Sequence, residues 1–246
     1  LHYIFSSDLR ICLLDRYSKM NKSTVLSIAL LVSVCLLGFL LLDYKEEVPE
    51  VLKKKEALLQ DTLKNNFQSV GIEFPPKQIA ILAIKDEKIL ELWARNNQNW
   101  KKVKNITITA ASGKAGPKLW EGDRQVPEGV YKILGLNPKS SFHLSMKLNY
   151  PNDFDSYWAE QEGRTSPGSD IFIHGKAVSI GCIAIGDEAI EELYFTVQKV
   201  GIKNVIVVIA PSDPRKKELI PDKNWPAWVG ELYKNIGTEF LLIAGK

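Results

Sequence analysis

The chain has 246 residues, with 32 Lys and Arg against 29 Asp and Glu, for a formal net charge of +3. Hydrophobic residues make up 45% and charged residues 25%, which excludes a disordered chain and a polytopic membrane protein. So small a charge excess gives no reason to expect nucleic acid as a partner, and three cysteines are too few for a disulfide framework. At about 150 residues per domain, the length suits one large domain or one plus a small appendage.

The first element is a run of nineteen uncharged residues, Thr24 to Leu42. At about 1.5 Å per residue a helix of this length crosses a hydrocarbon core of about 30 Å. Arg16, Lys19 and Lys22 precede it, and Asp43, Glu46 and Glu47 follow, with Lys45 among them. The positive-inside rule assigns residues 1–23 to the cytoplasm and everything after Asp43 to the outside, as in a single-pass protein of a bacterial inner membrane facing the periplasm or the exterior. No small-x-small site ends the run, so it reads as a retained anchor rather than a cleaved signal peptide. Val34 is bulky for lipoprotein processing at Cys35. Met20-Asn21-Lys22 reads as a natural start, with residues 1–19 an upstream extension.

Residues 43–74 read as a stem. Leu52, Leu59, Leu63, Phe67 and Val70 form one apolar stripe of a helix over 47–70, with Gly71 as its cap and Pro75-Pro76 as its stop. From residue 75 to 246 the pattern is that of a separate domain. Segments 78–84 and 89–94 flank a polar turn at 85–88 and predict a hairpin. Segments 105–110, 129–136, 142–149, 170–174 and 203–209 read as further strands. In 142–149, Phe142, Leu144, Met146 and Leu148 alternate with His143, Ser145, Lys147 and Asn149. Helices are expected over 187–200, where Ile190, Leu193, Tyr194 and Val197 share a face, and over 226–236, from Pro226 to a stop at Gly237. The fold class is mainly β with a few helices, a sandwich or open barrel.

The chemistry gathers at Ser179-Ile180-Gly181-Cys182. With Cys12 before the expected start and Cys35 in the apolar run, Cys182 is the lone thiol of the outer domain, either buried and inert or reactive. His174 lies eight residues upstream, at the end of DIFIH and before Gly175. A turn over 176–178 can fold the two segments side by side and bring an imidazole to the thiol. Such a pair is expected to hold thiolate below the free thiol value of about 8.5. The plain alternative is a core cysteine and a hydrogen-bonded histidine. His143, on the polar side of its strand, reads as solvated or hydrogen-bonded. The three histidines, His2, His143 and His174, make no zinc set, and no phosphate loop is present, so no metal or cofactor is expected.

The stretch IHGKAVSIGCIAIGDEAIEELY resembles the signature of the L,D-transpeptidase catalytic domain family, the YkuD type. Gly116-Pro117-Lys118, Glu121-Gly122-Asp123, Pro127-Glu128-Gly129-Val130-Tyr131 and Leu148-Asn149-Tyr150-Pro151-Asn152 with Asp155 extend the resemblance over about residues 77–210, toward the YafK-like murein branch. The resemblance implies a YkuD-like β fold, Cys182 as nucleophile and His174 as base. The imidazole would be oriented by a backbone carbonyl or a hydroxyl near Gly175 or Ser179, and the amides of Gly181 and Cys182 would hold an oxyanion. The family's second histidine, just before Gly-Cys, is Ile180 here. By the same resemblance Tyr150 and Asp155 lie near the cleft, while Arg164 in its polar loop can pair with a substrate carboxylate. The implied activity is acyl transfer on peptidoglycan stem peptides through a cysteine thioester. Alternatives are a hydrolase of the same fold, either an L,D-carboxypeptidase or an amidase, and a non-catalytic wall-binding module.

Overall fold

The computed structural model describes residues 50–245. The expected anchor at 24–42, its flanking charges and the segment 1–19 lie outside the described residues. Among the described residues no helix is long and apolar enough to cross a membrane.

Helix α1 (Glu50–Gln68) buries Leu63 and Phe67. It ends as its sequence requires: Gly71 takes φ +69°, and the amides of Ile72 and Gly71 bond the carbonyls of Phe67 and Gln68. This is a Schellman closure, with Ile72 packed inward beside Phe67.

Nine strands follow in the spatial order β3-β2-β1-β9-β5-β6-β7-β8-β4. They are β1 (Gln78–Ile84), β2 (Ile89–Arg95), β3 (Lys101–Thr107), β4 (Ala110–Ala111), β5 (Gly129–Asn137), β6 (Ser145–Leu148), β7 (Phe172–His174), β8 (Ile183–Ala184) and β9 (Val205–Ala210). The long strand β5 belongs to two mixed sheets. Its first half pairs antiparallel with β9, and its second half pairs with β6. The mainly-β expectation holds, but the strands form two mixed sheets sharing β5 in an open order that ends on β3 and β4.

The apolar run of β1, QIAILAI, is the mark of a strand covered on both faces. It runs parallel to β9, and helix α3 (Asp187–Val200) packs against it. On its other face Ala80, Leu82 and Ile84 join Tyr233, Ile236 and Phe240 of helix α4 (Val229–Ala244).

Several elements depart from the sequence expectation. Helix α4 runs through Gly237 to Ala244. Glycine costs a helix only about 1 kcal/mol, and burying Phe240 and Ile243 outweighs it. Helix α2 (Asp153–Gln161) has no counterpart among the expected helices; it starts there because Asn152 and Asp155 form a reciprocal capping box. The strand expected over 142–149 begins only at Ser145. Phe142 and His143 belong instead to a tight turn in which His143 has φ +76°.

Candidate active site

Strands β7 and β8 are parallel, with Ile173 opposite Ile183 and His174 opposite Ala184. Continuing that register by one residue puts Cys182 opposite Phe172. Residues two apart share a face of a strand, so His174 and Cys182 are diagonal neighbours on one face. Ile173 and Ile183 point the other way, into the core.

His174 is only 2% exposed. Its Nδ1 lies 2.6 Å from the carbonyl oxygen of Gly175. A carbonyl only accepts, so Nδ1 carries the proton and Nε2 keeps its lone pair when the ring is neutral. Of the orienting groups left open by the sequence, the Gly175 carbonyl is the one in contact. Gly175 has no room for a side chain: a Cβ there would sit 2.6 Å from Asp187 Oδ1 and 2.8 Å from the Phe142 carbonyl oxygen. The Phe142 ring covers the imidazole, with centroids 4.7 Å apart. Lys176, whose Nζ donates to the Ser141 carbonyl at 2.5 Å, pins the same turn.

Cys182 is half-buried and carries a free thiol. Its Sγ–H donates weakly to the Asp170 carbonyl at 3.7 Å. Burial pushes the thiol up, the Phe172 backbone N–H opposes that rise, the Asp170 carboxylate adds to it and the Lys118 ammonium opposes it. Burial pushes the His174 imidazole down, against the bond to Gly175. Both directions favour a neutral thiol beside a neutral imidazole. They go against the imidazolium–thiolate pair expected at rest, because burial penalises both charges.

Ser179 fixes the loop that carries the thiol. Its hydroxyl donates to the Cys182 carbonyl at 2.6 Å and accepts from the Ser112 amide at 3.0 Å. With its one proton committed, the Ser112 hydroxyl, 3.0 Å away, donates to it. The Gly181 amide also points at this oxygen, at 3.3 Å, so it is engaged within the loop rather than held ready for an oxyanion. Gly181 itself has φ +134°, a conformation side-chain residues rarely adopt. Ile180, two residues before Cys182, is 78% exposed, an apolar side chain where the family pattern has its second histidine.

The three residues expected to bind substrate hold scaffold contacts. Tyr150, buried, donates its hydroxyl to the Pro167 carbonyl at 2.8 Å and so ties down the 163–170 loop. Asp155 caps α2, and burial pushes its carboxyl up to about 6 against the Asn152 N–H, Tyr131 hydroxyl and Arg164 charge. Arg164 bonds Glu162 and the Leu119 carbonyl, each at 2.7 Å. His143, expected to be solvated or hydrogen-bonded, bonds Glu191 of α3 at 2.5 Å.

The sequence reading missed a buried network behind the 112–128 segment. Lys85 Nζ bonds Glu128 Oε1 and the Val126 carbonyl, each at 2.9 Å, and the Lys114 carbonyl at 2.8 Å. Glu128 also accepts from the Gly116 amide and the Tyr233 hydroxyl, each at 2.9 Å. Gln125 closes the loop on Lys114 and Gly116. Only the Glu in Pro127-Glu128-Gly129, polar at the head of a buried strand, could have signalled it. Phe142 and Ser112 carried no signal, since an exposed Phe and a loop Ser are ordinary.

The arrangement is a free thiol and a one-sided imidazole on adjacent strand ends, the imidazole under an aromatic cover. It suits proton removal from sulfur during nucleophilic attack. The family model for the YkuD L,D-transpeptidase catalytic domain matches residues 78–209, more than half of the chain. The chain therefore belongs to the L,D-transpeptidase catalytic domain family. It is 30% identical over 118 residues to YafK of Escherichia coli (strain K12), a match covering 47% of this chain and 46% of that protein. The chain thus spans about half the length of the curated relatives it matches. Two solved structures are also similar over part of their length. The helical cell shape determining protein Pgp2 from Campylobacter jejuni has 24% identity and a TM-score of 0.45, covering 55% of this chain and 48% of that one. Bd1075 from Bdellovibrio bacteriovorus has 23% identity and a TM-score of 0.40, with the same coverage.

Proposed function

We propose that this protein is an L,D-transpeptidase that acts on peptidoglycan stem peptides through a thioester on Cys182. The observation that carries the reading is the fixed tautomer of His174: with Nδ1–H given to Gly175, Nε2 is left as a base on the strand face shared with Cys182. His174 takes the thiol proton as sulfur attacks an amide carbonyl of the stem peptide. The tetrahedral intermediate collapses, the C–N bond breaks, and the departing amine takes that proton from the imidazolium, leaving the thioester. An acceptor amine, deprotonated by the same Nε2, then attacks the thioester, and the sulfur leaves with the proton. The Cys182 amide supplies an oxyanion donor, and Ser179 keeps its loop in place. Two neutral partners suit this cycle, because charge appears only once the sulfur attacks.

Water in place of the amine would make the same site an L,D-carboxypeptidase or amidase. The half-buried Cys182, with the exposed apolar Ile180 two residues before it, favours an amine that brings its own apolar contacts. We also propose that residues 24–42 anchor the domain on the outer side of a bacterial inner membrane. That reading rests on the uncharged run and its flanking charges.

The test is to incubate the protein with purified disaccharide tetrapeptides and analyse the products by mass spectrometry. A cross-linked dimer, with loss of one terminal residue, is the expected product. Tripeptide alone would replace the transferase by the hydrolase. No change with any stem peptide would leave the wall-binding module.

A further inference from the structure

At the end of the main sheet where the parallel strands β1 and β9 begin lies a groove of about 380 Å³, within the range of small-ligand sites. It shares no lining residue with the His174–Cys182 site. Its floor is apolar, with Ile79, Val205 and Ile206, and its rim is basic, with Arg95, Lys132 and Lys203 against the single acid Glu239.

Three features mark it as built for a ligand. The first is Arg95. Its Nε donates to Gln78 Oε1 at 2.7 Å, and its guanidinium stacks on Trp100 at 4.5 Å. The plane is locked, while among the described residues its terminal nitrogens bond nothing else, a pre-set fork for a carboxylate. The second is a β-bulge. The register of β5 on β6 shifts between Ile133 and Gly135, and Leu134 turns outward, 58% exposed at the groove. Bulges re-aim side chains beside binding sites. The third is the end of a strand pairing. Pairing of β5 with β9 ends at Lys132 opposite Ile206, so β5 continues with β6 on one side only. Nearby, Asn204 gives its Nδ2 to the Val200 carbonyl and keeps Oδ1 as an acceptor.

We infer that this groove is a second binding site, for a short peptide that carries a free carboxylate next to an apolar side chain. The carboxylate meets the Arg95 fork and the charges of Lys132 and Lys203. The apolar side chain packs between Leu134 and Trp100, and the peptide N–H groups find Asn204 and the β5 edge. A bare phosphate would satisfy the cations but leave the apolar wall and the amide acceptor unused. The inference does not depend on the reaction at Cys182, and its test reads binding alone.

The full-length chain, labelled with ¹⁵N, is titrated with N-acetyl-leucyl-glutamate, with neutral N-acetyl-leucyl-glutamine amide and with inorganic phosphate. The acidic peptide should saturably shift the Trp100 indole and the amides of Leu134 and Asn204. The neutral peptide should bind at least tenfold more weakly, and phosphate should not saturate over the same range. Arg95→Gln should weaken the acidic peptide at least tenfold. The double change Lys132→Ala with Lys203→Ala, both exposed and outside the core, should do the same without touching the fold. Equal binding of the neutral peptide, or unchanged binding in the lysine double variant, would overturn the site. Phosphate binding as tightly as the peptide would reduce it to an anion site and overturn the peptide class.

Discussion

His174 donates its Nδ1–H to the carbonyl of Gly175, the next residue in the chain, at 2.6 Å. The group that orients the imidazole thus comes from its own backbone turn rather than from a carboxylate. It follows that removing the orienting contact requires moving the turn, not deleting a side chain. Gly175→Ala should do so, because its Cβ meets Asp187 Oδ1 and the Phe142 carbonyl oxygen. We expect kcat to fall on the order of 10²-fold, as for a misplacement near 1 Å, with the domain still folded by circular dichroism.

The pH dependence follows from two buried groups. The proposed cycle needs neutral His174, present above its lowered pKa, and a protonated thiol, present below its raised one. Activity should therefore form a broad plateau between the ordinary values of about 6.5 and 8.5 and extend past both. The same shifts act on stability. His174 contributes above about 6.5 and loses that contribution as pH falls through its lowered folded value. Cys182 contributes below about 8.5 and loses it as pH rises through its raised folded value. Iodoacetamide alkylation of the resting thiol should accordingly have its midpoint at or above that of a free cysteine. A midpoint below pH ~7 would restore the resting ion pair.

Phe142 can be tested as the cover of the base. It is 41% exposed while the imidazole beneath it is almost sealed. Phe142→Ala should admit water, raise the His174 value toward its free one and move the acidic limb of the activity profile upward. Loss of a half-exposed ring should cost only about 1–2 kcal/mol of stability. An unmoved acidic limb would deny it that role.

The Lys85–Glu128 pair is a matter of stability rather than chemistry. Glu128 is buried, with Lys85, Tyr233 and the Gly116 amide all directed at it. Glu128→Ala leaves a buried ammonium unpaired and should cost about 3–5 kcal/mol in urea unfolding. Tyr233→Phe should cost about 1 kcal/mol, because it removes a single hydrogen bond. Asp155 behaves oppositely to a salt-bridged acid. With its carboxyl raised to about 6, the folded state binds a proton that the unfolded chain has released. Stability should therefore fall as pH rises from about 4 to about 6, and Asp155→Asn should remove that slope.

Much of this was legible in the residues because periodicity and caps are local. Helix α3 begins at Asp187 and ends at Val200, as its apolar face and Gly201 require. The hairpin turn at 85–88 was written in its polar residues. The motif around Cys182 also named the candidate pair. What stayed hidden depends on partners distant in sequence. Helix α4 passes Gly237 because strands far upstream cover its face. Strand β3 starts at Lys101, in a polar run, because Lys102 and Lys104 find Glu91 and Glu192. Phe142 left the strand pattern because His143 bonds Glu191, 48 residues on, from a left-handed turn. The sign of both pKa shifts was likewise invisible, since it reports burial rather than neighbours in the chain.

The most direct test of the central claim is intact-protein mass spectrometry, with acid quenching milliseconds after mixing with a disaccharide tetrapeptide. The account predicts a transient adduct equal to the substrate minus its terminal residue, removed by neutral hydroxylamine, located at Cys182 and absent from Cys182→Ala. In His174→Ala it should form at least a hundredfold more slowly. Product formation with no adduct at any quench time, or an adduct that persists in Cys182→Ala, would contradict a thioester route through this cysteine.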